Sequence, residues 1–285
     1  MKPFQSLKIV LIVSAILLIS VQVNAEDRET TVGDPNIECD QVLKKHDLSF
    51  AVSVEAVLHK MKQKRKILIL DVRSPQEFGK VHIPGSMNVP LYSIKTKPFL
   101  KTSQLVLVNN GYIYAPLENE CIKLKEKAFD VSILWGGLSA WKEKGLDFDG
   151  DVFAVKELNR ISSQDFFQEK ESRENIIIDV SSKVIPESGQ LFPDVRHIHD
   201  LTEKSFHNVL KEIDPGRFYT VLIFNENGQG YDILERAVKK AEIRNVFYLT
   251  GGINEYKRFL KNFALSRTSK ENRIKNVNKC IPCGQ

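Results

Sequence analysis

The sequence predicts an α/β protein with two domains, each a small, mainly parallel sheet flanked by helices. Two observations predict this fold. Short, continuous apolar runs alternate with stretches of helical length, which is typical of parallel strands that are covered on both faces. The same order of apolar runs, turns and paired glycines then occurs a second time along the 285 residues of the chain. This repetition indicates a duplication at the scale of a domain.

The first copy contains three short apolar runs that predict strands. Strands are predicted at residues 67–71, 105–108 and 131–134, a helix at 115–127, and a glycine pair at Gly136-Gly137. Cys121 lies on the apolar stripe of this helix, together with Leu117 and Leu124. We therefore expect Cys121 to be a buried small side chain rather than a redox group.

The second copy repeats this order. Its strands are predicted at 176–179, 220–224 and 246–249, its helix at 230–241, and its glycine pair at Gly251-Gly252. A stretch with few apolar residues, 147–160, separates the copies. We therefore predict a signal peptide at 1–25, a leading segment at 26–45, a first domain at 46–147, a second domain at 157–262 and a polar tail at 263–285.

The first 25 residues have the layout of a secretory signal peptide. Lys2 and Lys8 precede an apolar run at 9–23, and small residues precede a cleavage site after Ala25. The run is shorter than the roughly 20 apolar residues that a membrane-spanning helix needs. We therefore expect a periplasmic protein that meets the membrane only during export. Because the net charge of +5 is scattered along the chain, we expect no nucleic-acid partner.

Longer motifs in both copies resemble one family. The first copy contains ILDVRSPQEFGKVHIPGSMNVP and GGLSAWKEKG, and over roughly 47–146 it resembles a rhodanese domain of the thiosulfate sulfurtransferase type. The second copy, with IIIDV, LTGGINEY and a weak echo in LFPDVRHI, resembles a more diverged rhodanese domain over 157–262. The resemblance implies a parallel-sheet α/β fold and a link with sulfur transfer, although fold membership alone does not fix activity.

The loop that follows the fourth strand carries the chemistry in that family. It opens with a cysteine in the pattern Cys-x-x-Gly-x-Arg, and its backbone N–H groups receive an anionic sulfur donor. In this sequence Asn109 or Asn110 takes the cysteine position in the first copy, and Asn225 takes it in the second. An asparagine amide is not a nucleophile under these conditions. We therefore predict that neither loop contains a catalytic residue.

The two loops differ in what remains of them. In the second copy we consider one candidate anion cradle, formed by Asn225, Glu226, Asn227, Gly228, Gln229 and Gly230. The alternative, which we favour, is a tight strand-to-helix turn that binds nothing. In the first copy Tyr112, Ile113 and Tyr114 are too bulky for a free anion pocket, so they either plug the loop or form a contact surface.

Structural roles are expected for the other polar residues of these motifs. Asp71 and Arg73 are expected to pair or to position the loop, with Asp179 in the same role in the second copy, and His82 is expected to make a structural hydrogen bond. His197 and His199 are two residues apart. Because no cysteine or glutamate cluster lies near them in sequence, we expect no metal there, and no cofactor.

The segment Cys280-Ile281-Pro282-Cys283 is the one place where thiol chemistry could remain. Three interpretations stay open. The pair is a swinging arm that carries sulfur or reducing equivalents, half of a zinc site that a partner completes, or an inert disulfide.

Three function classes are compatible with these observations. The leading hypothesis is an exported, non-catalytic tandem rhodanese-like protein that binds or scaffolds an unidentified periplasmic protein of sulfur or thiol-redox metabolism. The alternative is a thiol–disulfide or sulfur-transfer enzyme that acts through Cys280 and Cys283. The third hypothesis is a purely structural role, in which the two domains bury a common interface and present Tyr112 and Tyr114 to a partner.

Overall fold

The computed structural model describes residues 48–63, 66–172, 175–211 and 218–278, with side chains between residues 49 and 268. All of these residues belong to one compact unit, Gln41–Gln285. The predicted signal peptide, the leading segment and the Cys280/Cys283 pair lie outside the described residues.

The first half of the described chain forms a wholly parallel sheet of five strands, in the order β1-β6-β5-β2-β4. A separate pair, β3 and β7, is antiparallel. The strands are β1 (Ala51–Val52), β2 (Ile67–Asp71), β3 (Val81–His82), β4 (Met87–Asn88), β5 (Gln104–Val108), β6 (Asp130–Leu134) and β7 (Asp149–Gly150). The helices are α1 (Val54–Lys62), α2 (Pro75–Lys80), α3 (Ala115–Glu126), α4 (Gly137–Glu143) and α5 (Val152–Lys156).

The second half forms another parallel sheet of five strands, in the order β8-β12-β11-β9-β10. The strands are β8 (Arg160–Ile161), β9 (Asn175–Asp179), β10 (Arg196–His197), β11 (Thr220–Phe224) and β12 (Val246–Leu249). The helices are α6 (Ser163–Glu169), α7 (Ser188–Leu191), α8 (Glu203–Leu210), α9 (Tyr231–Lys240) and α10 (Gly252–Asn278). The chain fills the five strand positions of the two sheets in the same order. Because both sheets are parallel and alternate with helices along the chain, the predicted α/β fold class is confirmed.

The last helix extends beyond the second sheet. Ile253 and Tyr256, near its start, are buried against that sheet, whereas residues 261–268 are all exposed. The helix continues to Asn278, so much of the segment predicted as a polar tail is helical. None of the helices in the described part of the chain is both long and apolar enough to cross a membrane.

Apolar side chains cover both faces of each sheet. In β5, Leu105 and Leu107 pack with α3 on one face, while Val106 and Val108 pack on the opposite face. These side chains alternate because successive residues of a strand point to opposite faces. Cys121 is completely buried in the cluster beneath α3, so its predicted role as a small core residue is confirmed.

Candidate functional site

The loops after β5 and β11 occupy equivalent places in the two sheets. The register with β2 and with β9 makes Asn109 and Asn225 the first residue after the strand in each case. Their backbone carbonyls also accept equivalent hydrogen bonds, from the N–H of Leu138 and of Ile253, both at 2.9 Å. Asn109, and not its neighbour Asn110, is therefore the counterpart of Asn225.

The glycine pairs let the following helices approach these loops. Gly137 and Gly252 have φ angles of 49° and 61°. A Cβ atom on Gly137 would lie 2.3 Å from the carbonyl oxygen of Asn109, and one on Gly252 would lie 2.5 Å from that of Asn225. Any side chain at either glycine would push the helix and the loop apart, which explains why both halves have glycine there.

The second loop satisfies its own hydrogen bonds. The side-chain oxygen of Asn225 accepts the Gly228 N–H at 2.6 Å, and its Nδ2 donates to the carbonyl of Gln229 at 2.7 Å. The N–H of Gln229 donates to the side-chain oxygen of Asn227 at 3.0 Å. An anion would have to displace both asparagine oxygens to reach these N–H groups. The geometry therefore favours the structural turn over the anion cradle.

A carboxylate also stands at the second loop. Glu226 Oε1 accepts hydrogen bonds from the backbone N–H and the hydroxyl of Ser182, both at 2.9 Å. Burial alone would raise the pKa of Glu226, but these hydrogen bonds and its own backbone N–H hold that pKa below its usual value. The group is therefore a fixed negative charge that repels an incoming anion. Gly230, with φ 74°, ends the loop at the start of α9.

The first loop is plugged by its own aromatic side chains. Asn109 accepts the Gly111 N–H at 2.8 Å and donates to the Tyr112 carbonyl at 2.6 Å. Tyr114 is 1% exposed, stacks on Trp135 with ring centroids 4.2 Å apart, and donates its hydroxyl to the Gly111 carbonyl. Tyr112 is 7% exposed. Tyr114 therefore fills the loop, as the plugging alternative predicts, whereas Tyr112 forms a contact surface with the second half. The hypothesis that these tyrosines face an external partner is wrong because both are buried within this chain.

The second half of the chain covers this plugged loop. The Tyr112 ring packs edge-on against Phe247 at 5.0 Å, and its hydroxyl lies 3.3 Å from Asp165. Glu169 accepts the backbone N–H of Ile113 at 2.6 Å. Ile113 has a φ of 58°, a conformation that costs a β-branched residue about 1–2 kcal/mol. The contacts from the second half hold this strained loop in place.

No sequence motif pointed to the two acids of this contact. The only signal was the spacing of four residues between Asp165 and Glu169, which places both on one face of α6. That spacing occurs in many helices and does not identify a contact.

Arg73 links the buried Asp71 to the first loop. Its Nη2 donates to Asp71 at 2.6 Å and to the Val81 carbonyl at 2.7 Å. Its Nη1 donates to the side-chain oxygen of Asn110 at 3.2 Å. Both expected roles of the Asp71–Arg73 pair, local pairing and positioning of the loop, are thus confirmed.

The histidines of the motifs have different surroundings. His82 Nδ1 lies 2.9 Å from the Phe78 carbonyl and its ring stacks on Phe78, which confirms a structural role. His197 lies beside Asp179, with 3.3 Å between Nδ1 and Oδ2, and its Nε2 lies 3.1 Å from Nδ1 of His199. Among the residues that the structure describes, no group of three or more histidine, cysteine or acidic side chains could hold a metal ion.

Comparison with known protein families matches residues 54–144 to the rhodanese-like domain. A rhodanese-like domain is therefore present in the first half of the chain. No curated protein matches the sequence.

Several solved structures are similar to parts of the chain. Thiosulfate sulfurtransferase from Pseudomonas aeruginosa is 18% identical, with a TM-score of 0.32 and coverage of 73% of this chain and 42% of that one. SseA from Escherichia coli, a structure reported for the fold and catalytic mechanism of 3-mercaptopyruvate sulfotransferases, is 17% identical. Its TM-score is 0.28, and the match covers 71% of this chain and 98% of that one. A rhodanese-related protein from Thermoplasma volcanium is 18% identical, with a TM-score of 0.30 and coverage of 34% and 95%.

Proposed function

We propose that this chain is an exported, non-catalytic tandem rhodanese-like protein that binds or scaffolds a protein of periplasmic sulfur or thiol-redox metabolism, without a cofactor. The rhodanese-like domain at residues 54–144 connects the chain with sulfur-related function. The second sheet, with its identical strand order, supports the proposal of a second, diverged copy.

One observation carries the non-catalytic part of the proposal. At the start of both loops an asparagine side-chain oxygen accepts a backbone N–H of the loop, at 2.8 Å in the first and 2.6 Å in the second. A sulfur-transfer loop needs a thiolate at its start and free N–H groups for the anionic donor. Asn109 and Asn225 supply no thiolate, and they also occupy donors that such an anion would use.

Electrostatics supports the same conclusion. Three carboxylates surround the first loop, from Glu77, Asp165 and Glu169, and Glu226 stands at the second. Within the described residues, the guanidinium that contacts the first loop belongs to Arg73 and is already paired with Asp71. A thiosulfate-like anion would therefore meet negative charge at both loops.

Export is the part of the proposal that rests on residues 1–25 alone. Fractionation of cells that express the full sequence, followed by amino-terminal sequencing of the recovered protein, tests it. We expect the protein in the periplasm with Glu26 as its first residue. Recovery in the cytoplasm with an intact leader would contradict export.

The alternative function uses Cys280 and Cys283. It is favoured by the exposure of residues 261–268 of α10, and by the length of this helix, which extends roughly 25 Å along its axis from residue 261 to Asn278. A dithiol carried beyond such a helix would need only reach and exposure for exchange with a partner.

A thiosulfate–cyanide assay separates these functions. We expect that neither the unmodified chain nor the Cys280→Ser/Cys283→Ser variant forms thiocyanate, and that intact mass spectrometry shows no added sulfur atom on either. Activity that disappears in the double variant would support the alternative. Activity or sulfur addition that persists in the double variant would contradict both functions, because it would reveal a reactive group elsewhere.

A further inference from the structure

The two sheets compensate the same buried aspartate in different ways. Asp71 and Asp179 end the equivalent strands β2 and β9, and both are buried. Asp71 is paired with the guanidinium of Arg73, but Ser181 stands at the corresponding position of the second copy. A buried carboxylate without a compensating positive charge is costly, so the second sheet needs another source of that charge.

The side chain that faces this carboxylate is a histidine. Asp179 Oδ1 accepts the Ser181 N–H at 2.9 Å, and Oδ2 lies 3.3 Å from His197 Nδ1. Oδ2 has no hydrogen-bond partner within the described part of the chain, and the residue is 0% exposed. Asp179 is thus aimed at His197 and orients its ring.

The second nitrogen of the same ring faces another histidine at the surface. His197 Nε2 and His199 Nδ1 are 3.1 Å apart, and the ring centroids are 4.0 Å apart. Between them, Ile198 is buried and donates its N–H to the Asp179 carbonyl, so the two histidines share the opposite, accessible face of the edge. His199 is exposed and the His197 side chain is 19% exposed.

The first sheet lacks this arrangement. The strand register makes Asn88 the counterpart of His197, and Pro90 therefore stands where the second copy has His199. Asn88 donates to the carbonyls of Asp71 and Arg73 at 3.0 and 2.9 Å. The paired imidazoles thus coincide with the loss of the arginine that neutralises the aspartate in the first copy.

We propose that His197 and His199 bind a divalent transition-metal ion of the zinc, copper and nickel class, with Asp179 as the carboxylate that supports His197. Zinc binds histidine nitrogen at about 2.0–2.1 Å, so two ligands in tetrahedral geometry lie about 3.4 Å apart. The observed separation of 3.1 Å is within a few tenths of an ångström of that value. A metal-bound histidine almost always donates its other N–H to a carboxylate or carbonyl, and here Nδ1 of His197 lies 3.3 Å from Oδ2 of Asp179.

The charges and protons of this site are consistent. In the tautomer that carries its proton on Nδ1, facing Asp179, His197 presents the Nε2 lone pair outward. His199 presents its Nδ1 lone pair in the tautomer that carries its proton on Nε2. The ion supplies the positive charge that the Asp179 carboxylate lacks. Its remaining coordination positions are open to water or to an external ligand.

Metal titration of a tag-free chain carrying Cys280→Ser and Cys283→Ser tests the proposal, because the cysteine pair alone could bind zinc. We expect calorimetry with Zn²⁺ or Ni²⁺ to show binding that His199→Gln weakens by at least about tenfold. Electron paramagnetic resonance with Cu²⁺ should show coupling to two imidazole nitrogens in the parent and to one in His199→Gln. The matched control is His59→Gln, an exposed histidine on α1, which should bind the ion as the parent does.

A second variant tests the supporting carboxylate. Asp179→Asn keeps an acceptor for the Ser181 N–H but removes the charge, and we expect about a tenfold loss of affinity with an unchanged circular dichroism spectrum. The proposal is overturned if the parent binds none of these ions up to millimolar concentration, or if His199→Gln binds them as tightly as the parent. In either case the two rings would serve only to hydrogen-bond each other.

Discussion

At the scale of single residues, Asn109 and Asn225 show how an amide changes a loop that resembles a sulfur-transfer loop. The side chain is as short as that of aspartate, and its oxygen reaches a backbone N–H two or three residues further on. This is the local hydrogen bonding that makes asparagine common in turns. An asparagine at this position therefore supplies no thiol nucleophile and stabilises the turn at the same time.

Asn109 and Asn225 are both half-buried, but the loops around them differ in exposure, and cysteine substitution measures the difference. Asn227, Gln229 and Gly230 in the second loop are exposed, whereas the second half of the chain covers the first loop. In the Cys280→Ser/Cys283→Ser background, we expect Asn225→Cys to react with iodoacetamide more than about tenfold faster than Asn109→Cys. A local opening that costs 1.4 kcal/mol is enough for this factor. Equal rates, followed by peptide mass mapping, would contradict the burial of the first loop.

The hydroxyl of Tyr112 provides a second test at this scale. It lies 3.3 Å from both Asp165 and the amide of Asn110. Tyr112→Phe keeps the ring against Phe247 and removes only these hydrogen bonds, so we expect a loss of about 1 kcal/mol in the free energy of unfolding, measured in urea. Tyr92→Phe is the matched control, because Tyr92 is 74% exposed. A larger loss in the control than at Tyr112 would refute this assignment.

At the scale of elements, α4 connects the two halves through the carboxylate of Glu143. Glu143, at the end of α4, accepts the backbone N–H of Asn245 at 3.0 Å, just before β12. Glu143 is exposed at its edge, but desolvation of the carboxylate where the two halves meet raises its pKa, although this N–H and the Arg244 charge oppose the shift. The folded protein therefore binds the Glu143 proton more tightly than the unfolded chain does.

This linkage has a definite sign. Because the folded pKa is raised, the contribution of Glu143 to stability is fully present below its unfolded pKa and is lost as the pH rises through the folded pKa. Glu143→Gln keeps the acceptor and has no charge, so at neutral pH we expect the variant to unfold at higher denaturant concentration than the wild type. The difference should vanish in acid. Glu126→Gln, an exposed position on α3, should show no such dependence, and a Glu143→Gln variant that is less stable at neutral pH would contradict the argument.

The central elements could be predicted from the sequence because their signals are local. Each central strand, such as β2 or β11, is a run of five residues that is mostly apolar, and α3 has a clear apolar stripe. The edge strands β1, β4, β8 and β10 have two residues each, too few to show any periodicity. The helical part of the tail was missed because polarity suggested a loop, although residues 264–278 contain neither glycine nor proline to stop α10.

The candidate sites were predictable only in part, for the same reason. The asparagines were visible because motifs surround them. The contacts of Tyr112 with Phe247, and of Asp179 with His197, join residues that are distant in sequence and depend on the packing of whole elements. A single sequence contains no signal for such pairs.

At the scale of the whole molecule, each half packs one aromatic side chain against the core of the other half. Tyr112 of the first half belongs to the core cluster on one face of the second sheet. Phe218 of the second half packs on the core cluster beneath the first sheet, with its ring 4.7 Å from Trp135. Each core is therefore completed by a residue from the other half, and we expect the described residues to unfold as one cooperative unit.

The positions of the tryptophans make this cooperativity measurable. The chain has two, Trp135 and Trp141, and both belong to the first half, so intrinsic fluorescence reports on that half while far-ultraviolet circular dichroism reports on both. Phe206→Ala removes a fully buried ring from a core cluster made only of second-half residues, which should cost about 3–5 kcal/mol. If the halves unfold together, the tryptophan transition must move to lower denaturant by as much as the dichroism transition does, although no tryptophan lies near the change. Phe153→Ala, at a side chain that is 74% exposed, should move neither curve. A tryptophan midpoint that stays in place when Phe206 is removed would show that the halves unfold independently and that the rings of Tyr112 and Phe218 do not couple them.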